Sequence, residues 1–164
     1  MTAPDRPGSG KQDPHYPRPD FDWESRAYWE GAGRGELVLQ RCRACRVVQH
    51  RPRGLCVSCL SSEIEHFVAT GRGEVYTYSI VRQNQMPAFR NALPYVVAYV
   101  RLEEGPQILS NIVGCDPETV SIGMPVRVDF VPTEATADES GRGEKEESHD
   151  VTRTPLGVPR FVPA

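Results

Sequence analysis

The stretch CRACRVVQHRPRGLCVSC, residues 42–59, decides the fold. Its four cysteines, Cys42, Cys45, Cys56 and Cys59, stand as C-x2-C-x10-C-x2-C. Each C-x2-C pair can turn back on itself so that both sulfurs face one point. Two such knuckles bring four thiolates into a tetrahedron, the geometry of a structural Zn²⁺ site. Four thiolates leave no open coordination position, which argues against a catalytic zinc. An Fe(Cys)4 electron-transfer site uses similar spacings, but it favours glycine directly after each knuckle, where Arg46 and Leu60 stand here. Nothing marks the chain as secreted, so disulfides are the weaker reading. His50 and His66 are read as surface or loop histidines. Cys115, between Gly114 and Asp116, is read as a small residue in a turn, with no basic neighbour to lower its pKa.

Outward from the cysteines the pattern is mainly β. Glu36–Arg41 alternates and predicts a strand into the first knuckle, Val47–His50 its return, and Glu63–Thr70 the strand that leaves the ribbon. Towards the N-terminus, FDWESRAYWE (21–30) predicts a short helix, capped by Asp22 and stopped by Gly31 and Gly33. Trp23, Tyr28 and Trp29 are too many large aromatics for an isolated surface helix. They either pack on the ribbon and the next domain or dock another subunit. Residues 1–20, rich in Pro, Gly and charge, read as a disordered arm.

Beyond Gly71-Arg72-Gly73 come the strands of a small barrel. Glu74–Arg82 alternates, with Val75, Thr77, Ser79 and Val81 on one face and Tyr76, Tyr78 and Ile80 on the other. Gln83–Leu93 is a long loop. Tyr95–Leu102 is almost continuously apolar and predicts a strand buried on both faces. Gln107–Val113 is its hairpin partner across Glu103-Glu104-Gly105. Val120 and Ile122 anchor a turn opened by Asp116, and Pro125–Val131 points Val126, Val128 and Phe130 inward. The acidic stretch 134–150 carries no large apolar residue and reads as a disordered insertion. Gly157–Pro163 is a last strand, which Pro159 and Pro163 restrict to an edge. Some five strands fit a Greek-key barrel of the OB type, though pattern alone does not separate it from an SH3-like barrel. The chain thus divides into an arm (1–20), a helix (21–35), a ribbon (36–70) and a barrel (71–164).

The 164 residues carry a formal net charge of −3, which does not advertise a nucleic-acid partner. A nucleic-acid-binding module remains the alternative, with Tyr76 and Tyr78 as stacking platforms. No apolar leader follows Met1 and no stretch approaches a membrane span, so the expected place is the cytoplasm, where thiolates stay reduced. No acid/base pair, Ser-His-Asp set or phosphate loop stands out. The Gly-Arg-Gly tripeptides at 33–35, 71–73 and 141–143 precede no strand-to-helix turn.

The order of parts resembles the acyl-CoA-associated zinc-ribbon/OB-fold proteins, long known only as a domain of unknown function. The resemblance rests on Tyr28-Trp29, Leu37, the four cysteines, Pro52, Gly71, Gly73, Val75, Tyr76, Tyr78, Pro94, Tyr95, Gly123 and Pro125. Val57 departs from the proline often found in the second knuckle, and the acidic insertion lies outside the pattern. The resemblance implies a rubredoxin-like zinc ribbon followed by an OB-fold barrel. It also implies a non-catalytic accessory subunit of a thiolase-fold enzyme acting on acyl-CoA thioesters, in a hetero-oligomer. Members bridge a thiolase and a synthase in archaeal isoprenoid synthesis, or serve a lipid-transfer-protein-like aldolase that splits the side chain from a steroid-CoA ester. The Arg, Gly and Pro content fits an actinobacterial host and so favours the aldolase. On this reading the ligands of the structural Zn²⁺ are Cys42, Cys45, Cys56 and Cys59, and the partner is met through Trp23, Tyr28 and Trp29. Arg46, Arg51 and Arg53 are the candidates for the CoA phosphates, because guanidinium groups match phosphate oxygens. Chemistry is expected on the partner.

Overall fold

The computed structural model describes residues 16–133 and 156–164. The first fifteen residues of the arm and the acidic insertion at 134–150 lie outside the described residues. Helix α1 (Arg26–Gly33) is followed by β1 (Val38–Cys42), β2 (Val48–Gln49) and β3 (Ile64–Val68). These three strands form an antiparallel sheet in the order β2-β1-β3. The rest is β4 (Arg72–Val81), α2 (Pro87–Arg90), β5 (Tyr95–Leu102), β6 (Gln107–Ile112), a 3₁₀ turn (Pro117–Thr119), β7 (Pro125–Thr133) and β8 (Leu156–Pro163). The last five strands close a barrel in the order β4-β5-β6-β8-β7. The third and fifth barrel strands pair in parallel, through Ile112 and Phe161, which is the OB arrangement. Val75, Val96, Ala98, Val100, Ile108, Val126 and Phe161 fill it.

Several expectations are corrected. The barrel's first strand does not alternate throughout. A β-bulge between Val75 and Thr77 sets an extra residue, Tyr76, into the strand. Val75 faces the core before the bulge, and Tyr78 and Ile80 face it afterwards. Tyr76 points outward, with the Arg101 guanidinium 4.5 Å from its ring centroid, so Tyr76 and Tyr78 do not share a stacking face. Strand β5 is buried on one face only. Val96, Ala98, Val100 and Leu102 point inward, while Tyr99 and Arg101 face solvent. Strand β8 is no edge, because it lies between β6 and β7. Its prolines are tolerated because the ladder to β6 is a single pair long. In the turn before β7, Val120 is buried but Ile122 is exposed. The loop 83–93 contains the short helix α2. Tyr16 to Asp20, assigned to a disordered arm, are described, and Tyr16 lies on the barrel. Its hydroxyl donates to Asn111 Oδ1 at 3.1 Å, and its ring meets Phe89 edge-on.

Helix α1 ties the sheet to the barrel. Asp22 Oδ1 accepts the Ser25 N–H at 2.9 Å and so fixes the turn before the helix. The helix itself starts at Arg26, with Ser25 at its N-cap and no side-chain cap bond, so Asp22 is not the cap expected from the sequence. Gly31 does not stop the helix but sits within it. A Cβ there would overlap Val38, and one on Gly157 of β8 would overlap the Ala32 carbonyl. These two glycines let the helix approach β1 and β8 more closely than a side chain permits.

Candidate metal centre and adjoining cleft

The knuckles are built by backbone bonds. Arg46 N–H donates to Cys42 O at 2.9 Å, and Leu60 N–H to Cys56 O at 3.0 Å. Both residues closing these turns take positive φ, 65° at Arg46 and 61° at Leu60. The absence of glycine therefore does not alter the knuckle backbone and does not decide which metal it holds.

The four sulfurs lie within 4.8 Å of one another. The shortest approaches, Cys42 to Cys59 at 3.6 Å and Cys45 to Cys56 at 3.5 Å, link one knuckle to the other. A Zn–S distance of about 2.3 Å in a tetrahedron requires S···S edges of roughly 3.8 Å, so the cage is the right size for zinc. The backbone N–H groups of Cys59 and Ser58 bond Cys56 Sγ and favour its thiolate, whereas Cys59, despite the Ser61 N–H, is pushed up by the neighbouring sulfurs of Cys45, Cys42 and Cys56. Cys42 and Cys56 are buried and Cys59 is exposed. Cys115 stands apart, and burial raises its pKa. The arrangement supports a structural zinc.

Two buried glutamines hold the second knuckle in place. Gln40 and Gln49 face each other across β1 and β2. Gln49 Nε2 donates to Gln40 Oε1 at 2.8 Å and to Leu55 O at 3.3 Å, and its Oε1 accepts the Val57 N–H at 3.0 Å. Gln40 Oε1 also accepts the Arg53 N–H at 2.8 Å. The loop from Arg53 to Val57 has no strand partner, and these side chains supply its missing bonds. Neither glutamine is marked out by the sequence pattern. The available signal was weak: each glutamine follows an aliphatic strand residue, Leu39 or Val48, but is followed by a polar one, Arg41 or His50.

The remaining predicted residues divide. A cleft of about 530 Å³ between the N-terminal segment and the loop after β2 brings together Tyr28, Trp29, His50, Arg51 and Arg53. Tyr28, only 5% exposed, is part of the core, stacking edge-on with Trp29 and tilted on His50 at 5.2 Å. His50 is thus half-buried rather than a surface residue. Burial and the Arg51 charge lower its pKa to about 4, so its ring is neutral. His66 is exposed and approaches Gln40 Nε2 at 3.3 Å. Arg51 and Arg53 are exposed, and neither has an ion pair among the described residues. Arg46 is not with them. It lies 3.9 Å from Glu65, a carboxylate shared with Arg41 and Arg43. Trp23 is 76% exposed and lies against Gly54, outside the core.

The comparisons agree with this architecture. Residues 29–65 match the family described as "ChsH2, rubredoxin-like zinc ribbon domain", and residues 68–131 match "ChsH2, C-terminal OB-fold domain". A chain of a solved structure, "Ltp2-ChsH2(DUF35) aldolase", superposes with a TM-score of 0.68 at 34% identity, covering 89% of this chain and 98% of that one. A "DUF35 domain-containing scaffold protein" of Methanocaldococcus jannaschii is 41% identical over 95 residues, 57% of this chain and 67% of that protein. A "Probable enoyl-CoA hydratase alpha subunit" of Thermomonospora curvata is 39% identical over 115 residues, 70% of this chain. That alignment spans only 35% of the hydratase subunit, so the similarity concerns about a third of the larger protein. With both domains matched, and with relatives above 30% identity aligned over two thirds or more of their length, this chain belongs to the ChsH2/DUF35 family of zinc-ribbon, OB-fold proteins.

Proposed function

We propose that this chain is a non-catalytic accessory subunit of a thiolase-fold enzyme acting on acyl-CoA thioesters. The reading we favour is a cytoplasmic retro-aldolase complex that removes the side chain of a steroid-CoA ester. The observation that carries it is the 34% identity across 98% of a chain in the "Ltp2-ChsH2(DUF35) aldolase" structure. Cys42, Cys45, Cys56 and Cys59 hold a structural Zn²⁺ that sets the ribbon, since metal binding and local folding are linked. The ribbon and α1 meet the partner, with Trp23 in direct contact and Tyr28 and Trp29 fixing the helix beneath it. Arg51 and Arg53, at the mouth of the cleft, are the candidates for the CoA phosphates. Arg46 is the weaker candidate because Glu65 already competes for it.

Co-expression with a thiolase-fold chain encoded beside it in the native host tests this reading. A stoichiometric complex that cleaves a β-hydroxyacyl-CoA by retro-aldol reaction, with neither chain active alone, is the expected result. Turnover by this chain alone, or bound nucleic acid in place of a protein partner, overturns it.

A further inference from the structure

The second knuckle differs from the first in a way that metal binding does not explain. Gly54 to Ser62 (GLCVSCLSS) contains no charged residue, whereas the first knuckle carries Arg43 and Arg46. Its aliphatic side chains face solvent: Leu60 is 72% exposed, Val57 64% and Leu55 51%. Trp23 lies against Gly54 and extends the same apolar surface. Leu60 is the informative residue. It occupies the left-handed region, which glycine enters freely and a side chain enters at a cost. Arg46, at the equivalent position, has Glu65 within the chain. The Leu60 N–H bond to Cys56 O closes the turn and accounts for its backbone, but nothing in that turn requires a large apolar side chain, and Leu60 displays one to solvent. A strained residue that displays a large apolar side chain to water is better explained by what covers it than by the fold.

We infer that Leu55, Val57, Leu60 and Trp23 form the hydrophobic centre of the surface that docks the thiolase-fold partner. This rests on the proposed function and names the part of the chain that serves it. The charge around the patch specifies what covers it. Arg53 stands two residues before Leu55, and Arg43 is bonded through its backbone N–H to Glu63 O at 2.8 Å, next to Ser62. The carboxylates around the patch are engaged within the chain, Asp22 by Ser25, Glu24 by the Gly54 N–H and Glu65 by Arg41, Arg43 and Arg46, whereas Arg53 is exposed with no ion pair among the described residues. The occupant is therefore an apolar patch rimmed by carboxylates on the partner protein. Apolar anchors inside a charged rim are the usual anatomy of such a contact.

The test separates contact from folding by giving them opposite signs. Leu60→Gly relieves the strained backbone, so the free full-length chain should keep its zinc and melt no lower than wild type. The same variant should bind the thiolase-fold chain at least tenfold more weakly, and Val57→Ser with Leu60→Gly more weakly still. Ile122→Ser, an equally exposed residue of the barrel, should change affinity less than twofold. Unchanged affinity in the double variant refutes the patch while leaving the proposed function standing. Loss of zinc in Leu60→Gly refutes the idea that the leucine is there for display. Concentration-dependent dimerisation of the free chain, abolished by Leu60→Gly, would assign the patch to a second copy and overturn the stated occupant. If wild type forms no complex at all, the proposed function fails, and this docking partner with it.

Discussion

Replacing Gln49 by leucine removes the donor and acceptor that hold the second knuckle, yet touches no sulfur. The side chain is buried, and its amide serves Leu55 O, Val57 N and Gln40 Oε1. Leucine fills similar space but leaves two backbone groups without partners. Each such group costs about 1–3 kcal/mol when buried. Val57 and Leu55 are exposed residues, so water recovers part of this, and a net loss of about 2 kcal/mol is the reasonable figure. Zinc binding and ribbon folding are one equilibrium, so the loss should appear in metal affinity as roughly a 30-fold weakening. Competition with a chromophoric chelator at fixed pH reads this directly, with the wild-type chain as reference. Barrel strands should be unaffected, as hydrogen exchange of the β5 and β6 amides would report. Zinc affinity within threefold of wild type would mean that the cysteines alone set the knuckle and that the glutamines are incidental.

Four further outcomes follow from the geometry. Purified chain should contain one zinc per molecule by elemental analysis. Cys56→Ser should lose it, because four sulfurs are needed for the cage, and iron in its place would refute the assignment. His50 is held neutral, its pKa about 4 against 6.5 when free, so the unfolded chain binds the extra proton first. Its contribution is complete above pH 6.5 and disappears as pH falls towards 4, amounting to about 3 kcal/mol. A His50→Gln variant should therefore show a flatter stability profile across that window, and an identical slope would exclude the histidine as its source. Gly157→Ala should cost about 1–3 kcal/mol by forcing α1 off β8, seen as a lower melting temperature with zinc retained. Tyr28→Ala should destabilise the chain by about 3–5 kcal/mol as a core truncation, whereas Trp23→Ala should leave the melting temperature within a degree and weaken the partner complex alone. Equal effects of the two on stability would show that Trp23 is packed in solution.

The ribbon was legible because its information is local. Two C-x2-C pairs constrain sulfur positions through a few bonds, whatever the rest of the chain does. The barrel strands were legible as elements, since apolar runs and turn residues punctuate them, but their faces were less so. The bulge at Tyr76 reverses the inward set of β4, and nothing in EVYTYSIV announces it. The bulge is fixed by the register with β5, where Val75 meets Val100 and Thr77 meets Tyr99. Strand β5 looked buried on both faces because Tyr99 has an apolar ring, yet among the described residues that side is covered only towards Tyr95, by Phe89 of α2, and Tyr99 and Arg101 stay exposed. The prolines of β8 suggested an edge, but in a closed barrel a strand can lack a long ladder on one side without being terminal.

The aromatic cluster shows most clearly what composition cannot divide. Trp23, Tyr28 and Trp29 stand within seven residues and read as one feature. Tyr28 and Trp29 lie on helix α1, where the close approaches at Gly31 and Gly157 draw Tyr28 into the core and leave Trp29 half-covered at the cleft. Trp23 precedes the helix, on the turn fixed by Asp22 and Ser25, and lies instead beside Gly54 and the second knuckle. One aromatic group thus serves two ends. Part of it fixes the helix to the ribbon and barrel, and the rest joins the uncharged, solvent-facing knuckle. That division follows from the position of two glycines and of the turn before the helix, so it emerges only when helix, sheet and barrel are assembled.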